Sequence, residues 1–426
     1  MMGILMTFNN SLKSNISVAQ EILLGFLFVA ILYICNGFVG LRVTVQIILL
    51  AIICISVFII QTTLYLNKQG IAICLFLASN TIVTTLIVRE SLDTAIFQIG
   101  MILFSFLIVS LVSFHSIADI YTKSLLITTS ISLVVYACSV SLPALIERFP
   151  IIYNSNGLAV RNLGIAYVYL RSNPIRNFSF FWEPGAFQTF IVYALLFEIF
   201  VFKLKRKINI VIFFAALVTT WSTAGIINLL ILVSIIMLYV NHEKKNKHLN
   251  VVVSIISFMA LFFVIYSFLS SEMQYAILGK VTNYFISESE VVTSASVRFD
   301  SIIIPFREFL SSPLWGVGND NLKDAMQTRG HRMTTNTIMN WFAVYGAFFG
   351  ICMTYLVFKL ARIFAGKSKL IFYLVILSLV LAISTEQYIR NMSVIMILFL
   401  PFSLRTGPDE ITEPINRNMD VNGIQF

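Results

Sequence analysis

The sequence predicts an all-α, polytopic integral membrane protein with about twelve transmembrane helices and two long extracytoplasmic loops. Three observations carry this. Of the 426 residues, 58% are hydrophobic and only 12% charged, against about 25% charged in a soluble domain, and the mean hydropathy is +0.89. Apolar runs long enough to cross a bilayer recur through the chain, and only helices or closed barrels satisfy their backbone polar groups in lipid. The runs are continuous rather than alternating, which excludes a β-barrel.

Taken in order, the predicted spans are residues 22–39, 43–66, 71–88, 94–114, 124–145, 184–202, 208–222, 224–240, 249–269, 335–358, 370–385 and 391–404. The stretch before the first span holds Asn9, Asn10 and Asn15, and no small-residue cleavage site follows, so a cleaved signal is not expected. The run 208–240 lies between two basic clusters, Lys203, Lys205, Arg206 and Lys207 on one side and Lys244, Lys245 and Lys247 on the other. If both clusters are cytoplasmic, the chain crosses an even number of times between them. The run is long enough for two short spans, and the polar segment from Thr219 to Gly225 is the natural tight turn.

This count puts both termini in the cytoplasm, together with Lys359, Arg362, Lys367, Lys369 and short loops carrying Lys68 and Lys123, as the positive-inside rule requires. Loops 146–183 and 270–334 then lie outside. Residues 1–404 read as one transmembrane domain, and 405–426 as a flexible cytoplasmic tail. The net charge of +9 is thereby a matter of topology, and nucleic acid is not an expected partner; the lipid bilayer is. Cys35, Cys54, Cys74, Cys138 and Cys352 all fall in apolar runs without a CxxC pair, which favours helix packing over disulfides or zinc.

The cations differ between the two sides. The cytoplasmic clusters are mostly lysine, whereas the outer loops carry Arg148, Arg161, Arg171, Arg176, Arg298, Arg307, Arg329 and Arg332 against Lys280 and Lys323. Topology needs no positive charge outside. Arginine binds phosphate or carboxylate in a bidentate way and desolvates more easily than lysine, so the set reads as a site for a phosphate-bearing ligand. Pairing with Glu147, Asp300 and Glu308, or contact with lipid headgroups, is the alternative.

The densest stretch is 176–188, where Arg176, an aromatic cluster and Glu183 precede Pro184-Gly185 at the start of a span. Proline is well placed at the first helical position, so Glu183 is predicted at the helix N-cap. A carboxylate there stabilises free N–H groups by up to about 1–2 kcal/mol, which accounts for it without catalysis; an acid–base or sugar-binding role is the other use. Phe180, Phe181 and Trp182 fit an interfacial belt or sugar stacking. In the second loop, residues 311–320 form a turn element with Gly316 and Gly318, and His331 is the histidine of the outer loops, suited to proton transfer near neutral pH. DxD, HExxH, GxSxG and Walker patterns are absent from the sequence. The spans hold few charges, and Glu386 and Arg390 flank a short outer turn, which argues against an ion-coupled carrier.

The order Arg176, Ser179, Phe181, Glu183, Pro184, Gly185 before a mid-chain span resembles the bacterial O-antigen and capsule repeat-unit polymerases, the Wzy family. Ser296-Val297-Arg298, then Pro313-Leu314-Trp315-Gly316-Val317-Gly318, then Thr335-Asn336 ahead of Gly346 and Gly350, is similar to the shared O-antigen ligase/polymerase pattern. The match spans roughly residues 160–355. Ligases carry histidine directly before that asparagine; here Thr335 stands there and His331 lies four residues earlier, which tilts the choice toward a polymerase.

The resemblance implies a GT-C-like, metal-independent membrane glycosyltransferase in the bacterial inner membrane, without cofactor. It would join undecaprenyl-diphosphate-linked oligosaccharide repeats into O-antigen or capsular polysaccharide, with a chain-length regulator as a further partner. In that scheme Arg176 and Arg298 stabilise the departing diphosphate and Glu183, or else His331, takes the acceptor proton. Arg161, Arg171, Trp182 and Asn336 bind substrate. An O-antigen ligase, or a lipid-linked oligosaccharide flippase, is the alternative.

Overall fold

The computed structural model describes residues 18–61, 63–154, 157–170, 176–240, 294–331 and 334–404, together with 256, 267 and 274. The chain opens with α1 (Val18–Asn36), α2 (Val43–Ile60), α3 (Lys68–Val88), α4 (Leu92–Leu111) and α5 (Phe114–Ser141). A short α6 (Pro143–Ile146) leads into three strands, β1 (Ile151–Tyr153), β2 (Ala159–Asn162) and β3 (Tyr167–Tyr169), paired antiparallel in that order. Helices α7 (Pro184–Phe200), α8 (Lys207–Thr219) and α9 (Thr223–Val240) follow. Beyond the next undescribed stretch come α10 (Ser294–Ser311), α11 (Asn319–Gln327), α12 (Thr337–Ala365), α13 (Lys369–Ile383) and α14 (Met392–Phe399).

Among the described residues, α1 to α5, α9 and α12 are long and apolar enough to cross a membrane, and α7, α8, α13 and α14 are shorter apolar helices. The all-α, multi-pass character predicted from composition is therefore present. The predicted span 249–269 and the tail 405–426 lie outside the described residues.

Helix α7 is the centre of the bundle. Every residue from Pro184 to Phe200 is buried, the signature of a helix apolar on all faces and surrounded by other helices. It packs on α5, α8, α9, α13 and α12. By contrast α2 leaves Ile48, Ile52, Ile55, Phe58 and Ile59 exposed, as a helix at the lipid boundary does.

The connections sort to two ends. At one, Phe38 N–H donates to the Phe180 carbonyl, Asn177 N–H to Thr219, and Asn319 N–H to the Glu90 carboxylate. At the other lie Lys203, Lys205 and Arg206 before α8 and Lys207 as its first residue, with Lys367 before α13 and Lys369 as its first residue.

Three sequence expectations change. Lys123 is not in a loop: α5 starts at Phe114, because the Ser113 hydroxyl accepts from Ser116 N–H at 3.3 Å and begins the helix early. Its charges are neutralised internally, with Asp119 2.8 Å from Lys123 and 2.5 Å from Arg206, and Glu21 2.5 Å from Lys123. Loop 146–183 contains the three-stranded sheet, whose strands are too short to announce themselves by alternation. Loop 270–334 contains α10 and α11, whose polar faces keep their hydropathy below that of a span.

The glycines of 313–318 and Gly346 have a joint explanation. At Gly346 (φ 81°, ψ −178°) α12 is broken, a backbone region essentially reserved for glycine. The break frees backbone groups that the 313–318 segment satisfies. Val317 N–H donates to Ala343 O at 2.8 Å, Gly318 N–H to Val344 O at 3.1 Å, and Ala347 N–H to Pro313 O at 2.8 Å. The two backbones are so close that a Cβ on Gly346 would lie 2.1 Å from Leu314 O, and one on Gly316 would lie 2.3 Å from Val344 O. The motif is thus a backbone dock that fixes the N-terminal half of α12.

Candidate functional site

The site forms where segment 176–183 enters α7. Asn177 organises this segment. Its side-chain oxygen accepts from Ser179 N–H at 3.2 Å, supporting the left-handed Ser179 (φ 52°), while its amide nitrogen donates to Thr219 Oγ1 at 3.1 Å and Ser132 Oγ at 3.3 Å. Tyr167 N–H donates to Ser179 O, and Gly37 and Phe181 form a β-bridge. Short polar side chains tolerate the left-handed region best, and here the turn is clamped from α1, α5, α8 and β3.

Phe180 and Phe181 are 2% and 0% exposed, and Phe181 stacks on Phe187 and Phe190 at 5.3 and 4.9 Å. They anchor the entry to α7 and are closed to a sugar, which corrects the stacking expectation. Both rings are covered by aromatic neighbours: Phe180 packs against Tyr33 at 5.6 Å and stacks on Phe181 at 4.4 Å. Trp182 alone of the three reaches the site, with its indole N–H donating to Glu386 Oε2 at 3.2 Å and its ring 5.7 Å from Tyr388.

Glu183 is the N-cap residue of α7, as predicted, but its side chain makes no capping hydrogen bond. It is exposed, and its carboxyl lies beside that of Glu386 and raises it. Glu386 is 6% exposed, in the turn between α13 and α14. Its backbone carbonyl accepts from Thr337 Oγ1 at 2.6 Å, and the same hydroxyl accepts from Tyr388 N–H at 2.7 Å, so the first residue of α12 holds the turn. Gly185 makes room: a Cβ there would sit 2.6 Å from Glu386 Oε1.

Burial pushes the Glu386 carboxyl well above its usual range, and the neighbouring Glu183 pushes the same way, against the opposing Arg298 and Trp182. The positive end of α7 favours the ionised form by only about 0.3–1 kcal/mol, less than desolvation of a buried carboxylate costs. Both burial and the adjacent carboxyl favour the protonated form of Glu386.

Arg176 Nε and Nη2 donate to the carbonyls of Thr220 (3.0 Å) and Trp221 (3.1 Å) in the predicted turn between α8 and α9. Two of its five N–H groups are used this way, leaving the rest of the fork for a ligand. It shares one electrostatic neighbourhood with Glu183, Glu386, Arg298 and Tyr169; burial lowers the Arg176 guanidinium, and the glutamates oppose this. Burial also raises the Tyr169 phenol, so it stays a neutral donor. Arg298 lies exposed on α10, close enough to favour the ionised form of Glu386.

The remaining predicted residues separate. His331 is 4% exposed, and its Nε2 lies 2.6 Å from Asp300 Oδ2. Its partner is thus Asp300 rather than Glu183, and Nδ1 is buried without a hydrogen bond. Asn336 caps α12, its side chain accepting from Met339 N–H at 3.0 Å. Arg161, in β2, donates from Nη1 to Phe149 O at 2.8 Å. Arg171 lies outside the described residues.

Sequence reasoning missed Glu386 as a site residue. Its signal was present: a carboxylate beside an arginine in a turn between two apolar runs. Nothing in the spacing tied it to Glu183, two hundred residues earlier. Among the described residues no three His, Cys, Asp or Glu side chains group as metal ligands. The arrangement offers proton exchange at an exposed carboxyl beside two arginines able to bind an anion. Comparison with protein-family models and with curated proteins finds no match to this chain in either.

Proposed function

We propose that this protein is a repeat-unit polymerase of the Wzy type. It would join oligosaccharides carried on undecaprenyl diphosphate at the outer face of a bacterial cytoplasmic membrane. The observation that carries the reading is the grouping of Arg176, Arg298 and Glu183 at the mouth of α7. That grouping combines anion binding with proton exchange, which a diphosphate leaving group and a sugar nucleophile require.

In this reading an acceptor sugar hydroxyl attacks the anomeric carbon of the lipid-linked chain. The new glycosidic C–O bond forms as the bond to diphosphate breaks, and that electron pair leaves with the diphosphate. Arg176 and Arg298 stabilise the developing charge, and Glu183 takes the hydroxyl proton. The remoteness of the lysine-rich end supports placing this mouth outside, by the positive-inside rule.

The test is the chain-length distribution in cells that depend on this protein. Arg176→Ala and Glu183→Ala are expected to abolish long chains while single repeats are still displayed. Wild-type lengths in both variants, at normal protein level, would reject the site. Loss of all surface repeats would favour a carrier, and polymer stranded on its lipid would favour a ligase.

A further inference from the structure

We propose that Glu386 is a positioning residue for Glu183. Its carboxyl, fixed by Trp182 and seated over Gly185, donates a hydrogen bond that turns the Glu183 carboxyl out of the α7 cap and into the site. This rests on the reading of Glu183 as the proton acceptor.

The geometry has three parts. First, an N-cap glutamate left to itself has free N–H groups of the first helical turn within reach, yet Glu183 makes no such bond and meets Glu386 instead. Second, Glu386 is built in from three elements: the Trp182 indole at 3.2 Å, the Thr337 hydroxyl at its backbone carbonyl, and the missing side chain at Gly185. Third, the pair is asymmetric, with Glu386 buried behind and Glu183 exposed in front. The front carboxyl can meet substrate and solvent; the rear one cannot.

The proton path is then defined. The acceptor O–H bond breaks as the Glu183 O–H bond forms, and the proton leaves Glu183 for water after transfer. The Glu386 proton stays in place throughout. Its loss at high pH sets two adjacent carboxylates against each other and turns Glu183 away, so activity acquires an alkaline limb that belongs to Glu386. The charged and titratable groups facing Glu386 are Glu183 on α7, Arg298 on α10, Arg176 on the entry segment, Tyr169 on β3 and Tyr388 on its own turn. Burial raises the Glu386 carboxyl well above its usual range, which favours its protonated form.

The test compares Glu386→Gln with Glu386→Ala in purified, reconstituted protein. Glutamine keeps both a donor toward Glu183 and an acceptor for Trp182, but cannot ionise. It is expected to retain activity within about threefold and to lose the alkaline limb. Alanine is expected to lose about 10- to 100-fold, up to the lower end of what general-base catalysis contributes. Infrared difference spectra, wild type minus E386Q, should show a protonated carboxyl band at neutral pH, a readout that needs no substrate. An inactive E386Q, an unchanged pH profile, or absence of that band would each overturn the proposal. Should E386A fail to fold, E386Q and the spectrum still decide it. If wild-type protein makes no polymer while the band is present and vanishes in E386Q, the paired carboxyls stand and the polymerase reading alone falls.

Discussion

Gly346→Ala tests the account of how the site is held. A Cβ at Gly346 would lie 2.1 Å from Leu314 O and 2.4 Å from its carbonyl carbon, and both are backbone atoms that no rotamer change can clear. The backbone itself (φ 81°, ψ −178°) costs a non-glycine residue about 1–3 kcal/mol. Relief by separation breaks the three hydrogen bonds Val317–Ala343, Gly318–Val344 and Ala347–Pro313, at about 0.5–1.5 kcal/mol each. The sum is about 3–7 kcal/mol, comparable to the whole stability of many domains at about 5–15 kcal/mol. Gly40→Ala is the control, since a Cβ there meets nothing within 4 Å. Thermal denaturation in detergent, followed by fluorescence-detected size exclusion, should show a large loss for G346A and none for G40A. A melting temperature for G346A equal to wild type would refute the dock between residues 313–318 and α12.

The other expectations lie closer to the chemistry. Gly185→Ala adds at most about 1 kcal/mol of helix propensity, but its Cβ displaces the Glu386 carboxyl, so polymer synthesis should fall about tenfold or more with little change in melting temperature. Arg176→Lys keeps a charge but cannot span both the Thr220 and Trp221 carbonyls and still present a fork. The rate of polymer formation should drop about 100-fold, near the loss for removing one oxyanion donor, and near-wild-type activity would show that charge alone suffices. The raised Glu386 carboxyl means the folded state holds a proton that the unfolded chain releases above the ordinary glutamate range. This stabilising contribution is full below that range and is lost as pH rises through the folded-state value; the melting temperature should decline with pH in wild type and decline less in E386Q.

What could be read from the sequence was whatever rests on local chemistry. Continuous apolar runs fixed the helical membrane character, the polar segment at 219–225 marked the turn between α8 and α9, and Pro184 placed Glu183 at the start of α7. Gly316 and Gly318 were visible as parts of a turn element and Gly346 as part of the ligase/polymerase-like pattern, but not that they face each other. What stayed hidden depends on long-range juxtaposition. The contact of Glu183 with Glu386, the pairing of His331 with Asp300, and the inward packing of Phe180 and Phe181 are decided by neighbours far along the chain. An aromatic run beside a carboxylate looks the same whether it lines a site or anchors a helix. The β-bridge between Gly37 and Phe181 made the difference, and no local pattern encodes it.

The central claim is that Arg176 and Glu183 perform glycosyl transfer from a lipid diphosphate. The direct measurement uses purified protein in liposomes whose accessible face already carries undecaprenyl-diphosphate-linked repeats, without added nucleotide. The account predicts release of undecaprenyl diphosphate in step with growing polymer, lost by about 100- to 1,000-fold in Arg176→Ala and abolished in Glu183→Ala. Movement of the lipid-linked repeats across the bilayer without polymer would contradict it, as would equal rates in wild type and both variants.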